Sequence, residues 1–245
     1  MKKVGSLELT VLNTRNPSSE DELQKCESAY RLWKQAWQGT FRELNVERSL
    51  FSDDFMDREL GGLFLGNEAV GLLLYNWFEI DRSYHREHSY FENYPTDLIA
   101  ELLSSGYKKI MVISYMTLKD DWRKPFTDLP ISELLISFCV KRFVESDAQI
   151  LVGYFRNDRK TNEMFYRHGG IPLIKDVKRY NVDVDFASIT KANATDSNVS
   201  GVAEIANRLW ENRNKNSARR AEYEELPRPV YEPLGRLHSV SSMGK

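Results

Sequence analysis

A chain of 245 residues that is 41% hydrophobic, 12% aromatic and 29% charged carries enough apolar side chain to bury a core, which excludes disorder over most of its length. Its 34 basic and 36 acidic residues give a net charge of −2, so no global field draws it to nucleic acid or to an anionic membrane, and neither is an expected partner. No apolar run approaches the roughly 18 residues of a membrane span, and the lysines after Met1 are not followed by an apolar signal segment, so a cytoplasmic placement is expected.

In chain order, Leu7 to Leu12 alternates apolar and polar residues as a half-buried strand does, and Asn13 to Ser19 supplies a turn. Ser18 or Ser19 can cap a helix whose apolar positions Leu23, Cys26, Ala29, Tyr30, Trp33 and Trp37 share one face, and Gly39 predicts its end. Four-residue spacing makes Trp33 and Trp37 core residues rather than pocket walls. The apolar runs at 62–65 and 69–75, split by Gly66-Asn67-Glu68, predict a hairpin whose second arm reaches Ile80. The region 81–109 reads as an insertion with one short helix at 98–103. Its His85 and His88 lack a third ligand, Cys26 and Cys139 read as reduced core thiols, and no metal is expected.

The densest pattern follows at 109–173. The apolar run 110–116 predicts a strand, 131–143 a helix with one apolar face, and 149–155 a second strand, the arrangement of a parallel crossover. A short helix ends in Tyr166-Arg167-His168-Gly169-Gly170, where His168 reads as a helix C-cap, and alternation over 171–186 predicts one or two last strands. Beyond 190 the chain changes to a helix near 202–210, a basic run, prolines and a serine-rich end. The expected division is therefore a catalytic-size domain over 1–190 and a peripheral helix and polar extension over 191–245.

This order of elements resembles the GNAT acyltransferase superfamily, on three motifs: the hairpin 63–75 with Val70-Gly71 after its turn, Asn157 after the predicted fifth strand, and Tyr166 four residues before Gly170. The resemblance implies an α/β fold with a mixed, mostly antiparallel sheet and a splayed parallel strand pair. It also implies transfer of an acyl group from a pantetheine thioester to an amine, with acetyl-CoA or a longer acyl-CoA, or an acyl-carrier protein, as donor. The donor arm would lie along Tyr115, Met116, Thr117 and Leu118, with Asn157 beside it and the phosphates at Ile131 and Ser132. Tyr166 is implied as the acid for the leaving thiolate and Glu79 as the base. The family's turn R/Q-x-x-G-x-G/A falls on Thr127, Pro130 and Ser132, so the glycines that cradle a pyrophosphate are missing. Either Arg123 and Lys124 bind the phosphates directly, or the donor is a carrier protein with one phosphate. The alternative is a catalytically inactive module that binds a ligand or partner.

Overall fold

The computed structural model describes residues 7–92, 94–123 and 130–213. Ser19 caps helix α1 (Glu20–Glu43) by accepting a hydrogen bond from the Glu22 N–H at 3.2 Å, and the Glu22 carboxylate accepts from the Ser18 N–H at 2.7 Å. Reciprocal bonds of this kind satisfy donors that a helix start leaves orphaned. The helix does not stop at Gly39: it continues about one more turn, to Glu43, because Phe41, 2% exposed, packs into the core. Tertiary packing here outweighs the cost of about 1 kcal/mol that glycine brings to a helix interior.

Seven strands form one sheet in the order β1-β2-β3-β4-β5-β7-β6. They are β1 (Leu7–Asn13), β2 (Glu59–Leu65), β3 (Glu68–Glu79), β4 (Lys109–Leu118), β5 (Ile150–Arg156), β6 (Ile171–Arg179) and β7 (Val182–Thr190). Every pairing is antiparallel except β4 with β5. Short helices α2 (Asp53–Met56) and α3 (Ser83–Arg86) lie in the connections. One face of the sheet is covered by α5 (Ile131–Glu145) and the other by α1 and α4 (Thr96–Ser104), so apolar residues alternate between two layers along β3 and β4. Helix α6 (Thr161–Tyr166) follows β5.

The expected boundary at 190 does not separate the helix that follows. Helix α7 (Val202–Glu211) buries Val202, Ala206 and Trp210 in the same core as Phe138, and the Trp210 indole N–H donates to Glu145 at 2.7 Å. Residues 214–245 of the expected extension lie outside the described residues.

What positions the site is where one ladder stops. β4 and β5 pair only from Ile110–Ile150 to Val112–Val152, after which β4 continues six residues and β5 four more without each other. β5 remains paired to β7 along its whole length, from Ile150–Thr190 to Arg156–Val184, so it cannot follow β4. Gly153 stands at the fork. A Cβ there would lie 2.5 Å from Ile113 Cγ2 and 3.1 Å from the Phe155 ring, so only glycine lets the strands separate at this point without displacing buried side chains. Replacing Gly153 by Ala is expected to destabilise the protein by about 1–3 kcal/mol through overpacking. Thermal unfolding checks this, and an unchanged melting temperature would contradict it.

Candidate functional site

The fork opens a cleft of about 1230 Å³ that runs from the N-terminus of α5, through the gap between β4 and β5, to the last turns of α1. Ile113, Leu118, Ile136, Phe155 and Met164 line it on the α5 face, while Leu32, Trp37, Tyr115 and Tyr154 line it on the α1 face. The cleft therefore connects the two faces of the sheet through the gap. Along the open edges of β4 and β5 the backbone groups directed at the gap have no strand partner and are available to a ligand.

β4 is bulged inside the cleft. Leu72 pairs with Thr117 and Leu74 with Ser114, so Leu73 alone faces both Tyr115 and Met116. Tyr115 absorbs the extra residue at φ 55°, in the left-handed region that bulky side chains rarely adopt. The bulge sends Tyr115 to the α1 layer and Met116 to the α5 layer. It is pinned by Thr117, whose hydroxyl donates to the Tyr115 carbonyl at 2.8 Å and accepts from the Trp37 indole N–H at 3.1 Å. Trp33 is core, as its spacing predicts, but Trp37 is a cleft wall.

Of the residues singled out from sequence, Tyr115, Met116, Thr117, Leu118, Arg123, Ile131 and Ser132 all border this one cleft. Lys124, with Thr127 and Asp128 of the altered turn, lies outside the described residues. Pro130 precedes α5 and has no N–H to offer. The N–H groups of Ile131, Ser132 and Glu133, in the first turn, have no partner within the helix. Four arginines border the cleft: Arg167 pairs with Glu133 of α5 at 2.6 Å, Arg123 with Asp120 at 3.1 Å, Arg156 with Asp158 at 2.6 Å, and Arg159 with Glu43 at the end of α1 at 2.5 Å.

Glu133 is the carboxylate that sequence reading passed over. It is 2% exposed in the first turn of α5 and accepts from Arg167, from the Ser197 hydroxyl at 2.7 Å and faces His168 Nε2 at 3.3 Å. Burial pushes its pKa up, but bonds from His168, Arg167 and Ser197 outweigh that and hold it at about 2. His168 is not an exposed helix cap: it is fully buried, with Nδ1 3.3 Å from the Thr195 carbonyl. The cleft end at α5 thus contains a carboxylate already neutralised by its own partners.

Asn157 and Tyr166 do not line the cleft; both bind a second buried carboxylate, Asp185 on β7. Tyr166 donates its hydroxyl to Asp185 at 2.5 Å, Asn162 and Asn157 donate amide N–H groups at 2.9 and 3.1 Å, and the Asp176 N–H donates at 3.0 Å. Burial raises the Asp185 pKa, yet these four donors bring it to about 2, and burial together with Asp185 raises that of Tyr166. The Tyr166 hydroxyl proton is thus directed at Asp185 rather than into the cleft.

Glu79 is at the wrong end of the sheet. It pairs with Lys109 at the start of β4, nine residues or about 30 Å of strand from Leu118, and forms an ion pair with Arg82 at 2.6 Å. It does not border the cleft. His85 Nδ1 accepts the Glu79 N–H at 2.8 Å, and no group of three metal-ligating side chains occurs among the described residues.

No family model matches this chain, and no curated protein does. Among solved structures it is similar to FeeM, an N-acyl amino acid synthase from uncultured soil microbes, at 12% identity and a TM-score of 0.52 over 76% of this chain and 90% of that one. It is also similar to BjaI, a CoA-dependent acyl-homoserine lactone synthase, at 14% identity and a TM-score of 0.52 over 83% of this chain and 90% of that one. The chain has the GNAT fold, with the mostly antiparallel sheet and single parallel pair that its sequence predicts.

Asp185 and Glu133 have folded pKa values near 2 against ordinary values of 3.8 and 4.5. A depressed folded pKa stabilises above the unfolded value and is lost as pH falls through the folded one. The melting temperature is therefore expected to fall between about pH 4.5 and pH 2. Asp185→Asn should lower it at pH 7 and shorten that acid limb; a pH profile parallel to wild type would contradict the assignment.

Proposed function

We propose that the protein is an N-acyltransferase that moves an acyl group from a pantetheine thioester to an amine by direct attack. The observation that carries this reading is the bulged, unpaired edge of β4 facing the fork at Gly153. A pantetheine arm is a string of amides, and it can add to that edge as a short extra strand would. That FeeM is an N-acyl amino acid synthase and BjaI a CoA-dependent synthase, both with this fold, supports a thioester donor.

In this reading the donor phosphate lies at the start of α5, beside the first-turn N–H groups and Arg167, with Arg123, Arg156 and Arg159 also bordering the cleft. Guanidiniums replace the glycine cradle that Pro130 and its neighbours lack, which suits either CoA or the single phosphate of a carrier protein. The thioester carbonyl lies at the Tyr115–Met116 bulge, whose backbone N–H groups polarise it. The amine enters from the α1 face and its lone pair attacks the carbonyl carbon. The C–N bond forms, the C–S bond breaks, and the proton shed by the amine ends on the departing sulfur.

The test is the melting temperature with acetyl-CoA, longer acyl-CoA and acyl-carrier protein in turn, together with thiol release on adding amines. A rise with at least one donor and amine-dependent thiol release are expected. No shift with any donor and no thiol release would contradict the proposal and favour a module without catalysis. Tyr166→Phe separates the two roles of that residue: a stability loss of about 1.5–3 kcal/mol, as for a lost bond to a charged acceptor, with turnover kept within about threefold. A tenfold fall in turnover at unchanged stability would restore it as the acid.

A further inference from the structure

Arg48 and Arg58, from the connection between α1 and β2, meet Arg179, from the end of β6, around Tyr115, Tyr154 and Tyr180; the first two of these tyrosines also line the cleft on the α1 face. Arg48 donates to the Tyr115 hydroxyl at 3.3 Å and to the Tyr180 hydroxyl. The Arg58 guanidinium lies 5.3 Å from the centre of the Tyr115 ring, and that of Arg179 lies 4.3 Å from the Tyr154 ring. Tyr180 has Arg48 at 5.6 Å and Arg179 at 5.2 Å from its ring. Three like charges gathered around linked aromatic rings repel one another unless an anion joins them.

The described residues supply too little negative charge. Arg48 reaches Asp54 at 3.3 Å, whereas the nearby Asp57 is taken by Arg15 at 2.5 Å. Arg58 bonds the Asp54 carbonyl at 2.7 Å and the Ser114 hydroxyl at 3.0 Å. Arg179 Nη1 is buried with no hydrogen-bond partner.

We propose that this cluster seats the carboxylate of the acceptor, so that the amine acylated belongs to an amino acid or a derivative that keeps its free carboxylate. Guanidinium forks match a carboxylate in two parallel hydrogen bonds. A carboxylate held beside Tyr115 leaves the neighbouring amine facing the bulge and the open edge of β4. The inference rests on the acyl-transfer reading for its purpose, but the anion seat can be measured without it.

The common L-amino acids and their carboxamides are titrated one pair at a time by calorimetry against wild type, Arg48→Gln and Arg179→Gln, and each is then offered as acceptor in the thiol-release assay. At least one free acid is expected to bind about tenfold or more tighter than its amide, the loss expected for one charge-assisted bond, and each variant should erase that preference. The Arg48 side chain is 33% exposed, so Arg48→Gln keeps the test valid if Arg179→Gln fails to fold. Equal binding of acids and amides, or an intact preference in Arg48→Gln, overturns the proposal. So does tighter binding of phosphoethanolamine than of every amino acid, which would make the seat a phosphate site. Acid-selective binding without thiol release from any donor would uphold the seat and reject acyl transfer. Thiol release with neutral amines as readily as with amino acids would do the reverse.

Discussion

The structure turns on a ladder that ends early. β4 and β5 part after Val112 and Val152 because β5 is held along its full length by β7 while β4 is held by β3 and bulged at Tyr115. Two strands committed to different neighbours cannot also stay together, and Gly153 removes the side chain that would wedge against Ile113 at the parting. The result is a set of backbone donors and acceptors within the core that water or a ligand must satisfy. A cleft through the sheet, with one helix layer at each mouth, follows from that single frustration of pairing.

Two buried carboxylates fix the walls around it. Glu133 ties the start of α5 to Arg167, His168 and Ser197, and Asp185 ties α6 to β7 through Tyr166, Asn162 and Asn157. Each has enough donors to stay ionised despite burial, which is costly if any donor is removed and specific while all are present. Of the arginines that border the cleft, Arg123 and Arg159 hold exposed ion pairs, which are weak and exchangeable, whereas Arg167 is committed to the buried Glu133. On the opposite face the arginines around Tyr115 and Tyr180 meet only Asp54 among the described carboxylates. A chain with a net charge of −2 thus concentrates cations along the cleft and behind the tyrosines of its α1-face wall, a local arrangement its overall composition conceals.

Much of this was legible in the sequence where local pattern decides the outcome. Strand alternation, the Gly66-Asn67 turn and the strand–helix–strand crossover each carry their own periodicity. What pattern could not supply was anything set by register or by partners far away in sequence. Gly39 reads as a helix end, but burial of Phe41 carries the helix on. Glu79 looks close to a site until the pairing with Lys109 places it at the far end of the β3–β4 ladder from Leu118. Asp185 lies among alternating residues and reads as a solvent-facing position, since its four donors come from α6, its neighbouring loops and β6. His168 reads as a cap because nothing near it in the chain announces Glu133, 35 residues earlier.

The claim at the centre is that a thioester donor fills the gap between β4 and β5, and amide hydrogen exchange with and without a saturating acyl-CoA or acyl-carrier protein tests it most directly. Slower exchange concentrated at 113–118 and 153–156 is the result this account requires. Protection confined to other segments by a donor that demonstrably binds would contradict it.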